Sequence, residues 1–435
     1  MLNIPKKKTD KLKNKIILIL IGVAFIYACK SGQKAASNNN VAGIYMPGLN
    51  LIDPEYKVFH KNDTLTEVHF RLNSSNILYT KKRGDSTFSA NILINYQLTD
   101  KADESMVDSA SIYFTDYGDG KNKKFLDGML ALKTKMNKRY DLVVTVNDLT
   151  RDHYIRKRLG INRSDLYNDQ NYLLLDSNQN VVFKNHFSSN EKLYIIKNSE
   201  NKSYNALMKR YSSDLPIAKP PFSVPQNEEQ KEPIVFKPTS TEELEFNDSN
   251  MLSYVVKQEG LFHLQQSETN KLGPTIFNFQ ENFPKIKSAE NMIGPMRYIS
   301  TKKEYEELTT SENKKIAVDK FWLNIAGSSD RAKTLIREYY SRVENANDYF
   351  TSYLEGWKTD RGIIYIIFGS PNVVYKNKNY ENWIYGEENN MMSISFVFHK
   401  VDNPISNNDF TLSRSPIFKN TWFRAVDSWR NGRIY

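Results

Sequence analysis

GWKTDRGIIYIIFGSP, residues 356–371, sets two glycines, a tryptophan and an Asp-Arg pair directly before the apolar run Ile363–Phe368. Gly356 and Gly362 bracket a loop that lets the chain turn sharply. The run that follows is apolar on both faces and reads as a buried central strand, broken by Gly369-Ser370-Pro371. Thr359 and Asp360 carry short side-chain oxygens that accept hydrogen bonds from loop N–H groups, and Trp357 has the bulk to fill a core position. Downstream, NVVYK, ENWIYG and MSISFVFHK supply three more strands of an antiparallel sheet.

Upstream, the periodicity predicts two helices. Ser311 is placed to cap 312–325 and Ser329 to cap 330–349, where Ala332, Leu335, Ile336, Tyr339, Val343 and Ala346 recur at helical spacing. All five tryptophans fall at or after Trp322, so residues 239–435 read as a chemically distinct C-terminal α+β module.

The preceding chain is mainly β. Between Tyr56 and Asn147, runs such as TLTEVHFRL, FSANILINYQL and RYDLVVTV alternate apolar and polar residues, separated by turn-formers, which predicts an immunoglobulin-like β-sandwich over 41–160. YLLL, NVVF, KLYII and YNALMKRY suggest a second, small β module over 161–215. Six of the fifteen prolines lie in 216–238, which reads as a linker. MLSYVVK, GLFHLQQ and TIFNF open the C-terminal module as strands, and no internal repeat of fixed period is visible.

At the N-terminus, six lysines precede a 13-residue apolar run from Ile16 to Ala28. That layout is a secretory signal over 1–28, too short for a spanning helix of about 20 residues. Ile26-Tyr27-Ala28-Cys29 resembles a bacterial lipobox, and Cys29 is the only cysteine of the chain. A short membrane anchor followed by an incidental cysteine is the alternative. Lipidation at Cys29 would remove the one thiol that an oxidising compartment would attack. It would also anchor the protein through its acyl chains, each buried methylene contributing roughly 0.8 kcal/mol.

Residues 29–40 then form a small, polar tether. They carry no acidic run of the kind often found on surface-displayed lipoproteins, which favours a periplasm-facing orientation on the outer membrane. Without residues 1–28 the chain has 54 basic and 49 acidic residues, a net charge of +5 rather than +10. Nucleic-acid binding thereby loses its main support.

Gly356-Trp357-Lys358-Thr359-Asp360, followed by Arg361-Gly362 and the run to Phe368-Gly369 and Pro371, resembles the signature of the GWxTD domain family. The lead-in FPKIKSAENMIGPMRYIST (283–301) is also similar, so that the resemblance extends over most of 41–435. Ser370 between Gly369 and Pro371 is a small departure. The resemblance implies an envelope lipoprotein, mainly of Bacteroidota, and lends no established activity.

Two functions remain open. One is a non-catalytic binding or scaffolding component of an outer-membrane-associated assembly, held to the membrane by its lipid and to an envelope protein partner, with secretion or gliding machinery suggested by lineage alone. The other is an enzyme acting on envelope glycan or peptide, with Trp357, Asp360, Arg361 and Trp383 around a pocket. Gly356, Trp357, Thr359, Asp360, Arg361 and Gly362 are thus either a site or a structural corner that sets the following segment in place.

No catalytic residue can be named, because no nucleophile with a nearby base stands out. The six histidines show no metal-ligand spacing, so no metal and no cofactor is expected. TDYGDG (115–120) lacks the third carboxylate and distant glutamate of a calcium loop and reads as a hairpin turn.

Overall fold

The computed structural model describes residues 40–47, 52–81, 84, 86–118, 122–224 and 236–433. The signal segment, most of the tether and Cys29 lie outside the described residues. Strands predominate, and three modules follow one another.

The first module is a sandwich of two antiparallel sheets. One sheet runs β1 (Glu55–His60), β2 (Leu65–Asn73), β5 (Phe125–Lys133). The other runs β4 (Met106–Gly118), β3 (Phe88–Asp100), β6 (Arg139–Asp148), β7 (His153–Asn162). Strict alternation drives the packing: along β6, Tyr140, Leu142, Val144 and Val146 are buried while their neighbours are not. They meet Ile92, Ile94 and Leu98 of β3 and Val68, Leu72, Leu130 and Leu132 of the facing sheet in one core. Strand β4 pairs with β3 and β5 with β2, so TDYGDG joins two sheets instead of closing the expected hairpin. Its residues 119 and 120 lie outside the described residues.

The second module repeats that strand order. Strands β8 (Tyr172–Leu175), β9 (Lys192–Lys197) and β12 (Met251–Val255) form one sheet, ordered β8-β9-β12. The other is β11 (Ser240–Glu245), β10 (Asn205–Tyr211), β13 (Gly260–Gln265), β14 (Thr275–Asn278). Every strand corresponds to the one seven places earlier in the first sandwich. The expected boundaries 161–215 and 239–435 are therefore corrected. Residues 240–278 complete the second sandwich, because β10 is flanked by β11 and β13 and β9 by β12.

Of the proline-rich segment, residues 225–235 lie outside the described residues, and the rest does not run between modules. It leaves one sandwich between two of its own strands and packs Ile217, Ala218 and Phe222 against the C-terminal core. Ala218 N–H donates to the Lys358 carbonyl at 2.9 Å, and the Phe222 ring lies 5.4 Å from that of Phe423. NVVF contributes only a single bridge, Val181 to Leu175.

The third module sets six helices against an antiparallel sheet. The helices are α1 (Ala289–Met296), α2 (Lys302–Thr310), α3 (Lys314–Ala326), α4 (Ser329–Phe350), α5 (Asp360–Phe368) and α6 (Phe418–Arg430). The sheet runs β15 (Val373–Lys376), β16 (Tyr380–Tyr385), β17 (Ile394–Lys400), β18 (Phe410–Leu412). The two predicted helices exist, capped by Asn313 and Ser328 in place of Ser311 and Ser329. Thr301 and Glu304 form a capping box at α2.

The expected strand 363–368 is helix α5. Its residues from Asp360 to Ile367 are all buried, and a helix apolar on all sides belongs inside a core. A short apolar run satisfies either period, and here the Thr359 cap and the surrounding helices decide.

One further segment completes this module from far upstream. Residues 42–45 form a 3₁₀ turn that packs Ala42 and Tyr45 into the C-terminal core, while Val41 N–H donates to the Val374 carbonyl at 3.0 Å. No helix among the described residues is long and apolar enough to cross a membrane.

Candidate functional site

The signature segment begins where α4 ends. A Cβ on Gly356 would come within 1.8 Å of the Ala346 carbonyl oxygen, and one on Gly362 within 1.9 Å of the Gly356 carbonyl oxygen. Both glycines are required by close backbone approach, a demand that no side chain can meet. Asn347 of α4 fixes the turn: its Oδ1 accepts from Trp357 N–H at 3.1 Å, while its Nδ2 donates to the Pro284 carbonyl at 3.0 Å.

Trp357 points inward and is 6% exposed. Its ring meets Tyr298 edge-on at 6.2 Å and lies against Gly294, where a Cβ would come within 2.9 Å of it. The Tyr298 hydroxyl donates to the Trp357 carbonyl at 2.9 Å. Burial pushes that phenol's pKa well above its ordinary value. Thr359 caps α5, its Oγ1 accepting from Gly362 N–H at 3.1 Å and donating to the Gly356 carbonyl at 2.8 Å.

Asp360 and Arg361 are adjacent but do not pair with each other. The Asp360 carboxylate accepts from Leu412 N–H at 2.8 Å and from Arg414 Nη1 at 3.1 Å, with Arg414 Nη2 on its second oxygen. Arg361 turns the other way. Its Nη1 donates to Glu381 Oε1 at 3.0 Å, its Nη2 donates to the Asn408 carbonyl at 3.0 Å, and its guanidinium stacks 4.0 Å from the Phe410 ring centroid. One arginine therefore ties α5 to both β16 and β18.

Glu381 is the centre of this arrangement and is fully buried. Besides Arg361 it accepts from Lys376 Nζ at 2.7 Å, Trp383 Nε1 at 3.0 Å and the Tyr45 hydroxyl at 2.9 Å. Burial works to raise its pKa, but the charges of Arg361 and Lys376 outweigh it and hold the carboxyl below its ordinary value. Burial and the Glu381 charge raise the Tyr45 phenol. A buried charge is tolerated only when its lone pairs are met, and these are.

The structure thus brings the six sequence-selected residues together as a filled corner. Trp383 lies in the same core, 5.3 Å from the Phe350 ring. Sequence reasoning missed Glu381, Arg414, Asn347 and Asn408. Glu381 left a trace, since it shares the inward phase of β16 with the fully buried Trp383. The histidines sit apart: His60 bonds Thr66 and the Asn162 carbonyl, and His263 bonds Thr275 and the Lys271 carbonyl. Among the described residues no group of three or more His, Cys, Asp or Glu is placed to hold a metal ion.

The model of the GWxTD domain matches residues 260–431. That segment carries a GWxTD domain. The match is narrower than the resemblance over 41–435 suggested. It opens at β13, inside the second sandwich, so the family unit takes in two strands of that sandwich together with the helical module.

No curated protein matches the chain. Among solved structures, a glycosyl hydrolase family 2 member from Bacteroides cellulosilyticus is 12% identical over 32% of this chain and 18% of its own, with a TM-score of 0.18. A putative beta-galactosidase from Bacteroides fragilis is 8% identical over 32% of this chain and 20% of its own, also at 0.18. The chain thus spans about a fifth of the length of the structures it matches.

Proposed function

We propose that this GWxTD-domain protein is a lipid-anchored, periplasm-facing component of the outer membrane that holds another envelope protein and does no chemistry of its own. The observation that carries the reading is the contrast between the two edges of the larger sheet in the first sandwich. Edge strand β7 is guarded by Arg156, Lys157 and Arg158, the usual protection against pairing with another chain. Edge strand β4 spans 13 residues, MVDSASIYFTDYG, with no lysine, arginine or proline, and exposes Met106, Val107, Ile112, Tyr113 and Tyr117. It is a template for strand addition by a partner.

Two further observations support the reading. The signature residues spend their donors and acceptors on one another and on the core, which suits a corner that holds modules together. Asn40 donates to the Asn372 carbonyl at 3.1 Å and accepts from Val374 N–H at 2.9 Å. The eleven residue-to-residue steps from Cys29 to Asn40 reach at most about 40 Å. A lipid at Cys29 would therefore keep the GWxTD domain beside the bilayer.

The test has two arms. Cys29→Ala should release the protein from membranes and abolish lipid labelling; a variant that stays bound and is processed normally refutes the anchor. Cross-linking from native membranes should capture a stoichiometric partner that Ile112→Lys loses. Capture unaffected by Ile112→Lys refutes the β4 surface, and recovery of only the protein itself makes the partner a second copy.

A further inference from the structure

Away from the signature corner, an open cleft of about 890 Å3 lies between α4, the end of α5, β16 and α6. Two helices wall it with stripes at i, i+3 and i+7 spacing: Glu338, Ser341 and Asn345 from α4, and Thr421, Arg424 and Ser428 from α6. Arg342 forms the floor. It is 8% exposed, donates from Nε to Glu338 Oε1 at 3.1 Å, and its guanidinium lies 5.0 Å from the Trp429 ring centroid. Gly369, at φ 80°, lets it approach, since a Cβ there would come within 3.1 Å of the guanidinium.

Among the described residues the lining carries three arginines, Arg342, Arg424 and Arg433, against one carboxylate, and that carboxylate is already engaged by Arg342. Arg424 and Arg433 are exposed and form no ion pair with any described residue. The walls between them offer hydroxyl and amide side chains, and Tyr385 contributes an aromatic side chain.

We infer that this cleft binds an acidic saccharide of one or two rings, its carboxylate or phosphate held between Arg424 and Arg433. The guanidinium fork matches either anion bidentately. The hydroxyl and amide groups of the two helical stripes meet the ring hydroxyls. The volume falls within the range of about 300–1,000 Å3 typical of small-molecule sites. The inference goes beyond the scaffold reading and does not depend on the lipid anchor.

Calorimetric titration of the full-length protein with digalacturonate and glucose 6-phosphate, with maltose as the neutral counterpart, tests it. Both acidic sugars should bind tighter than maltose by roughly tenfold or more, and binding should weaken as salt is raised to about 0.5 M. Arg424→Glu with Arg433→Glu should cost roughly tenfold or more in affinity while leaving the melting temperature in place; should that pair misfold, Arg424→Gln alone is read the same way.

Competition by vesicles carrying a phosphorylated glycolipid assigns the ligand to a headgroup, and its absence assigns it to a soluble sugar. Equal binding of maltose, no binding of either acidic sugar up to about 10 mM, or an unchanged affinity in the arginine variants overturns the inference.

Discussion

The two sandwiches share one strand order and differ in what interrupts it. In the first, β1 to β7 follow one another over residues 55–162, with no excursion to another module among the described residues. In the second, the chain leaves after Tyr211, packs against the GWxTD domain, and returns at Ser240 to supply β11. A second seam joins the same two modules: Leu261, Phe277 and Phe279 of the sandwich pack with Tyr353 and Leu354, the residues just before the signature. Where alternation is unbroken, a sandwich can be self-sufficient. Where a long connection visits a neighbour, sandwich and neighbour become one folding problem.

The sharpest way to break that comparison is to cut the chain. Residues 52–164 alone should give a monomer with a cooperative melt. Residues 239–435 alone should aggregate, because β11 and β13 lose β10, whereas 165–435 should fold, though less stably than the full chain because it lacks Ala42 and Tyr45 of its core. Circular dichroism and size-exclusion chromatography decide, and a cooperatively melting 239–435 would show that the second sandwich is dispensable.

Next in size are two changes at the signature corner of the full chain. Trp357→Ala should cost roughly 3–5 kcal/mol through the cavity it leaves. Asp360→Ala should cost about 3 kcal/mol, since it strands the Arg414 charge and the Leu412 N–H. Both should lower the transition of the C-terminal modules and leave that of the first sandwich unmoved in a urea melt. An Asp360 variant that melts like the parent yet fails to complement a deletion strain would turn the corner back into a site.

The first sandwich has its own pH dependence. Burial, with Arg163 adding to it, lowers the His60 pKa from 6.5 to about 4. The unfolded chain takes up a proton below 6.5 and the folded one only near 4. Stability is therefore full above 6.5 and falls by roughly 2–3 kcal/mol as the pH drops to about 4. His60→Gln should flatten that decline, measured as the urea midpoint of the first transition against pH.

The smallest effect expected lies between α2 and α6. Hydrogen bonding from Arg430 holds the Glu304 carboxyl down at about 2 from an ordinary 4.5. This contribution is present above 4.5 and is lost as the pH falls through about 2. Both side chains are about a third exposed, so solvent screening leaves under about 1 kcal/mol. Glu304→Gln should lower the midpoint slightly at neutral pH and leave it nearly unchanged near pH 2.

Much of this architecture was legible in local pattern. Period-two alternation marks β2, β3 and β6, since a strand with one wet face cannot hide its register. The apolar stripe from Ala332 to Ala346 marks α4. Even the composition of the corner could be read, because a turn pressed against a helix needs glycine and a helix start needs an oxygen such as that of Thr359.

What the sequence by itself determined, then, was where strands and the longer helices run and which short segment is chemically set apart, because those properties depend on residues a few positions from one another. Tertiary structure alone decided that Ile363–Phe368 coils rather than extends, since a run buried on every side fits either period. It also decided that Arg361 answers to Glu381 and Asp360 to Arg414, that Tyr45 completes a core more than 300 residues downstream, and that β11 to β14 belong to the second sandwich. Each of these is a contact between residues far apart in the chain, and the energy that selects it exists only once the partners have met.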